Sequence, residues 1–149
     1  MIVVDASLAV KWMLWEVDSR QALDFLSAHG RECVAPELIF IEVAGVIVRR
    51  GNQDKALQPD VLKALGKWTV AWSDHVVKNY RVTQRRLFRA SSLALQLGHP
   101  LKDCIYLALA QELGAELATC DARFREKALS LYPDIRLLAD YATSADSSE

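Results

Sequence analysis

The sequence predicts an α/β sandwich on a mainly parallel central sheet, and three observations predict it. Short apolar runs without alternation, Ile2-Val3-Val4 and Cys33-Val34-Ala35 among them, have the composition of strands buried on both faces. Segments with apolar residues at helical spacing alternate with these runs. Gly30, Gly51, Gly98 and Gly114 stand where helical patterns stop.

Taken in order, residues 2–4 form the first strand, and Ser7 is placed to cap a short helix through Trp12. Ala22, Leu23, Phe25 and Leu26 give residues 18–28 an amphipathic helical pattern. Residues 33–35 are the second strand. Pro36 suits a first helical position, where no N–H is needed, and that helix is expected to run to Arg50 and end at Gly51. Residues 54–67 read as a helix broken or delayed by Pro59. Residues 68–72 are β-prone and are expected to form a short strand. Residues 77–97 and 101–113 have helical spacing, 115–119 a strand, 122–131 a helix and 135–138 a last strand. The 149 residues suit one domain, expected over 1–141, with a small polar tail at 142–149 expected to be disordered.

Composition narrows the function classes. The net charge of −1 gives no bulk attraction for nucleic acid, so any such binding needs a local basic patch. Cys33, Cys104 and Cys120 are scattered, an odd count with no CxxC pair, which argues against a disulfide framework or a zinc site. None of His29, His75 and His99 has a context that suggests a partner base, so neither catalytic thiol nor catalytic histidine is assigned. The opening Met-Ile-Val-Val lacks a basic start and is broken by Asp5, and no apolar run reaches the ~20 residues of a membrane helix. A cytoplasmic protein is the expectation.

Four acids stand in apolar surroundings, where an unpaired charge costs several kcal/mol. Asp5 ends the first strand, and Asp121 follows Leu117-Ala118-Thr119-Cys120. Glu42 sits inside the run from Leu38 to Val48, and Asp103 opens the run from Cys104 to Ala110. Each has an ordinary alternative: a loop residue or cap for Asp5, a buried arginine partner for Glu42, the helix dipole for Asp103 and a helix cap for Asp121. Together they fall at strand ends and on the helices covering the sheet, and in such folds ligands bind beyond the carboxyl ends of the strands. Clustered carboxylates repel, and a divalent cation relieves that conflict. Ligands that are all oxygen point to Mg²⁺ or Mn²⁺ and to phosphodiester hydrolysis. Ser7 and Thr119, two residues from Asp5 and Asp121, are placed to orient the carboxylates, a role compatible with capping by Ser7.

With those residues in place, the chain resembles a PIN domain of the VapC-type toxin kind. The carrying segments are Val3 to Trp12, Pro36 to Val43, His99 to Ala110 and Ala118 to Phe124, in the family's order and spacing, and the resemblance extends to about Tyr141. It implies a three-layer α/β/α sandwich with its acids in one cleft. It also implies Mg²⁺ or Mn²⁺, endoribonuclease activity, homodimerisation, and inhibition by a small antitoxin that wraps the dimer. On that pattern Asp5 and Asp103 are metal ligands, Glu42 and Asp121 complete the catalytic set, and Thr119 matches a hydroxyl position near the site. Lys102 departs from it, standing where relatives often carry an apolar residue, and is expected to point to solvent.

Lys78, Arg81, Arg85 and Arg89, with Arg86 beside them, fall at helical spacing as a basic stripe that either contacts RNA or is simply solvated. Arg49-Arg50 and Arg123 with Arg125 are placed to extend the patch, and Arg123 and Arg125, just past Asp121, are the stronger candidates for RNA phosphate. Trp12, Trp15, Trp68 and Trp72 are expected in the core or in a dimer or antitoxin groove rather than under bases. A non-catalytic nucleic-acid-binding or scaffold protein on the same fold is the competing reading. A receiver domain is disfavoured because no Asp-x-Asp follows the first strand.

Overall fold

The computed structural model describes residues 1–142; of the tail expected at 142–149, Ala142 is the last residue of a helix and 143–149 lie outside the described residues. Strands β1 (Ile2–Val4), β2 (Cys33–Pro36), β3 (Lys78–Tyr80), β4 (Glu116–Thr119) and β5 (Ile135–Leu137) form one sheet, with every pairing parallel. Helices α1 (Ala6–Met13) and α2 (Ser19–His29) connect β1 to β2, and α3 (Leu38–Gln53) and α4 (Gln58–Ser73) connect β2 to β3. Helices α5 (Gln84–Leu97) and α6 (Leu101–Leu113) lead to β4, α7 (Ala122–Ala128) leads to β5, and α8 (Leu138–Ala142) follows.

The strand order is β3-β2-β1-β4-β5. Parallel strands need right-handed crossovers, so the side on which each helix lies follows from the direction of each step across the sheet. The chain winds outward from β1 through β2 to β3, then crosses back to β4 and β5. Helices α1 to α4 therefore cover one face and α5 to α7 the other, an α/β/α sandwich. Between them Val3, Val4, Val34, Leu117 and Ile135 are buried. Helix α6 packs on β1, β2 and β4 from one side and on α5 from the other, and so buries Cys104 and every residue from Tyr106 to Ala110.

Five local expectations are corrected. Residues 68–72 are not a strand but the end of α4. Val61, Ala64 and Trp68 recur at helical spacing and are buried, and the Trp68 indole N–H donates to the Phe40 carbonyl at 2.9 Å. The third strand is instead Lys78–Tyr80, a polar segment at the sheet edge recruited by β2, so residues 77–97 are not one helix. Helix α5 begins only after Thr83, whose hydroxyl accepts from Arg86 N at 3.2 Å. Lys78 and Arg81 thus lie off the helix that carries Arg85 and Arg89.

Pro36 does not open α3 but ends β2, in register with Tyr80, where the ladder stops and a missing N–H is tolerated. Gly51 does not end α3, which continues to Gln53. An added Cβ there would meet the Val61 methyls at 3.2 and 3.3 Å, so the absent side chain lets α3 and α4 approach closely. Ser7 is not the cap of α1. That position is Asp5, in extended conformation, whose carboxylate accepts from Leu8 N at 3.3 Å.

Trp12 and Trp68 are buried and Trp72 stacks on Phe40, whereas Trp15 is 72% exposed. The three cysteines are free.

Candidate active site

Because the winding reverses at β1, a crevice opens between the carboxyl ends of β1 and β4. Asp5 leaves β1 there, its N–H extending the ladder to the Ala118 carbonyl at 3.2 Å. The residue is only 6% exposed, and its carboxylate is held from three directions. Ser7 donates to Oδ1 at 2.6 Å, Leu8 N donates to the same oxygen, and the Thr119 hydroxyl donates to Oδ2. Burial pushes the Asp5 carboxyl up to about 6 despite those three donors, and the charge of Asp103 adds to the rise.

Ser7 and Thr119 tie the two strand ends together. Ser7 Oγ accepts from Cys120 N at 2.9 Å, and Thr119 Oγ1 accepts from Asp121 N at 3.0 Å. Each hydroxyl thus accepts from a backbone N–H and donates to Asp5. Asp121 Oδ1 accepts from Phe124 N at 3.0 Å, capping α7.

The other two acids come from opposite faces of the sheet, Glu42 from α3 and Asp103 from the first turn of α6. Burial raises the Glu42 carboxyl above the usual range, while the nearby Tyr106 hydroxyl and then the opposite charge of Lys102 pull it back. Glu42 Oε1 and the Tyr106 hydroxyl are both buried with no hydrogen-bond partner among the described residues. Burial, and then the charges of Glu42 and Asp5, hold the Tyr106 phenol well above its ordinary value, so it remains a proton donor. Asp103 Oδ2 lies 2.7 Å from His99 Nε2.

Asp5, Glu42, Asp103 and Asp121 line one cleft of about 350 Å³. Its rim is basic: Lys11, Arg50 and Lys102 also line it. Glu16 braces two of these, with Arg50 Nε at 2.7 Å and Lys11 Nζ at 3.5 Å. Lys102 is exposed to solvent, as expected, yet borders the acids. Among the described residues, no three His, Cys, Asp or Glu side chains converge into a ready-made metal cage. The donor set still fits a hard cation that keeps several waters and needs only one or two carboxylates, as Mg²⁺ does. The unpartnered Glu42 oxygen and the buried Asp5 carboxylate are the groups such an ion would satisfy.

The arginines expected at RNA are placed differently. Arg85, Arg86 and Arg89 line a separate cleft of about 430 Å³ with Gln111 and Glu112, sharing no residue with the acidic one. Arg86 pairs with Glu112 at 2.8 Å, and Arg89 donates to Gln111 at 3.1 Å. Arg125 donates to the Ile135 carbonyl at 3.3 Å, and Arg123 is exposed. Arg50, expected as an extension of the basic stripe, instead borders the acids; sequence reasoning missed the rim cation Lys11, the phenol of Tyr106 and the contact of His99. The available signals were a phenol in an otherwise apolar helix and a histidine four residues before an acid.

Fold and site together define an α/β sandwich with an acidic crevice at the reversal point of its sheet. The chain belongs to the PIN domain family, whose sequence profile matches residues 2–129. Its structure is similar to a chain of a toxin–antitoxin complex from Klebsiella pneumoniae, with a TM-score of 0.64 and 18% identity over 93% of this chain and 98% of that one. It is also similar to PAE2754 from Pyrobaculum aerophilum, with a TM-score of 0.66 and 15% identity over 99% of this chain and 90% of that one. At such identities these likenesses speak for the fold. A comparison with curated proteins finds no match. No helix of the described residues is long and apolar enough to cross a membrane.

Proposed function

We propose that this chain is a Mg²⁺- or Mn²⁺-dependent endoribonuclease, the toxin of a toxin–antitoxin pair, acting in the cytoplasm through a single domain over residues 1–141. The observation that carries the reading is the gathering of Asp5, Glu42, Asp103 and Asp121 around one cleft with a buried, unpartnered Glu42 oxygen. Asp5 and Asp103 would hold the cation, with Glu42 and Asp121 completing the acidic set. When bound, the cation supplies polarisation of the phosphodiester and a more acidic attacking water. Ser7 and Thr119 keep the Asp5 carboxylate in one orientation through hydrogen bonds to both of its oxygens. Lys11, Arg50 and Lys102 supply positive charge for the phosphates at the rim, and Arg123 lies exposed beyond it. The basic cleft of Arg85 and Arg89 offers a second stretch for RNA backbone.

The likeness to a chain of a toxin–antitoxin complex supports a small antitoxin as partner. A homodimer as the working state is part of the same proposal. An exposed groove of about 370 Å³ lined by Met13, Trp15, Leu57, Lys63 and Lys67 is suited to an amphipathic antitoxin helix.

The test is cleavage of a labelled total-RNA pool by the purified chain, freed of partners, in Mg²⁺, Mn²⁺ or EDTA, beside Asp5→Asn and Asp103→Asn. Discrete fragments that require metal and vanish in both variants are expected. A folded protein that cleaves nothing in either metal overturns the nuclease reading.

A further inference from the structure

His99 enters the site only through its contact with Asp103, yet its surroundings are built to hold its ring. Gly98 ends α5 in the left-handed region at φ 60, and His99 N donates to the Ala94 carbonyl at 3.1 Å. Pro100, at φ −56, opens α6 immediately afterwards. From α7, the Lys127 ammonium donates to the Gly98 carbonyl at 3.1 Å. The backbone on either side of His99 is therefore fixed by three helices.

The ring is fixed as well. The side chain is 7% exposed and stacks on buried Phe124, with centroids 4.8 Å apart and planes 18° from parallel. Its Nε2 lies 2.7 Å from Asp103 Oδ2, and an ionised carboxylate only accepts, so Nε2 is the donor. Nδ1 is buried without a partner among the described residues. Phenylalanine would fill the same space and stack on Phe124 without burying an unpartnered nitrogen, so packing alone does not account for the imidazole. Its Nε2 donor does. Phe124, beneath the ring, also donates its N–H to Asp121. One imidazole thus contacts Asp103 directly and reaches Asp121 through Phe124.

We propose that His99 is a positioning residue, which fixes the Asp103 carboxylate through Oδ2 so that Oδ1 is presented to the cleft for a divalent cation. The assignment rests on the metal-dependent reading above. Hydrogen-bond partners that orient metal-binding carboxylates are worth about 10–100-fold in metal affinity when removed. Asp103, on the first turn of α6, has its side chain 23% exposed. Without the imidazole it would be free to choose other rotamers.

The test is Mn²⁺ binding to the full chain by calorimetric titration, for wild type, His99→Phe and His99→Gln, with thermal unfolding in EDTA beside each. Phenylalanine keeps the stack on Phe124 and removes the donor; glutamine keeps an N–H donor and removes the ring. His99→Phe is expected to bind Mn²⁺ about 10–100-fold more weakly while melting in EDTA no earlier than wild type, and His99→Gln to recover part of the affinity. Wild-type affinity in His99→Phe overturns this assignment alone. So does a loss in His99→Gln as large as that in His99→Phe, since the donor would then not matter. A wild type that binds no Mn²⁺ overturns the metal reading and this assignment together.

Discussion

The Thr119 hydroxyl donates to the carboxylate of Asp5, 114 positions away in sequence, and at the same time accepts from the backbone of Asp121. One oxygen thereby joins two neighbouring strand ends and touches two of the four acids. Thr119→Val removes that oxygen at nearly constant size and leaves a buried carboxylate oxygen and a backbone N–H unsatisfied. It is expected to cost about 2 kcal/mol in urea unfolding, with most of that recovered in Thr119→Ser. Equal stability of the valine and serine variants would show that this hydroxyl does not organise the strand ends.

The carboxyl of Asp5 ionises near 3.8 when free and at about 6 in the fold. Between those values the folded state binds the extra proton. The associated stability is therefore complete below 3.8 and is lost as pH rises through 6. At ~1.4 kcal/mol per unit, the loss across that window is about 3 kcal/mol. Glu42 is shifted in the same direction and adds to the fall. Urea unfolding in EDTA at pH 4 and pH 8 is expected to show the decline in wild type and a flatter profile in Asp5→Asn. Saturating Mn²⁺ is expected to abolish it, because a cation favours the charged carboxylates.

Burial pushes the thiols of Cys33, Cys104 and Cys120 up to about 12, 11 and 12. At pH 8 the thiolate fraction of each is then on the order of one in a thousand or less. Ellman's reagent is expected to react with the folded protein far more slowly than with the protein in urea. Cys120→Ala is expected to retain full activity, and its inactivation would reinstate thiol chemistry at this site.

The rim cations carry a prediction separate from the acids. If Lys102 and Arg50 each meet an RNA phosphate, alanine at either position lowers the slope of log binding constant against log salt by about 0.7, the value for one contact on a single strand. Binding of an uncleaved RNA in EDTA across a range of salt measures it. An unchanged slope in both variants would move the RNA path to the other arginines, Arg85 and Arg89 first.

Four strands were legible because each carries apolar residues that the sheet buries wholly or partly, from the wholly apolar Ile2-Val3-Val4 to Ile135 and Leu137 on either side of Arg136. The edge strand β3 was not, unlike β5 at the other edge, since Lys78-Asn79-Tyr80 has no pattern of its own and becomes a strand by pairing with β2. Trp68 to Trp72 misled for the opposite reason. Their aromatic and β-branched composition suits a strand, but the period that buries Trp68 runs back through Ala64 and Val61. The acids were visible because a carboxylate in apolar surroundings is conspicuous in one dimension. Ser7 and Thr119 were visible with them, standing two residues from Asp5 and Asp121, but the groups that act from farther along the chain were not. Glu16 reaches Arg50 across 34 positions, and the fixed ring of His99 depends on Phe124, which the sequence does not bring near.

The order in which the strands are laid down has a consequence of its own. The hollow between β1 and β4 exists because the chain changes its direction of travel there, whatever side chains line it. Architecture and chemistry are therefore separable in this molecule. Neutralising its acids would leave an intact concave mould with a basic lip. A descendant of this sequence that lost those acids would keep the shape needed to grip.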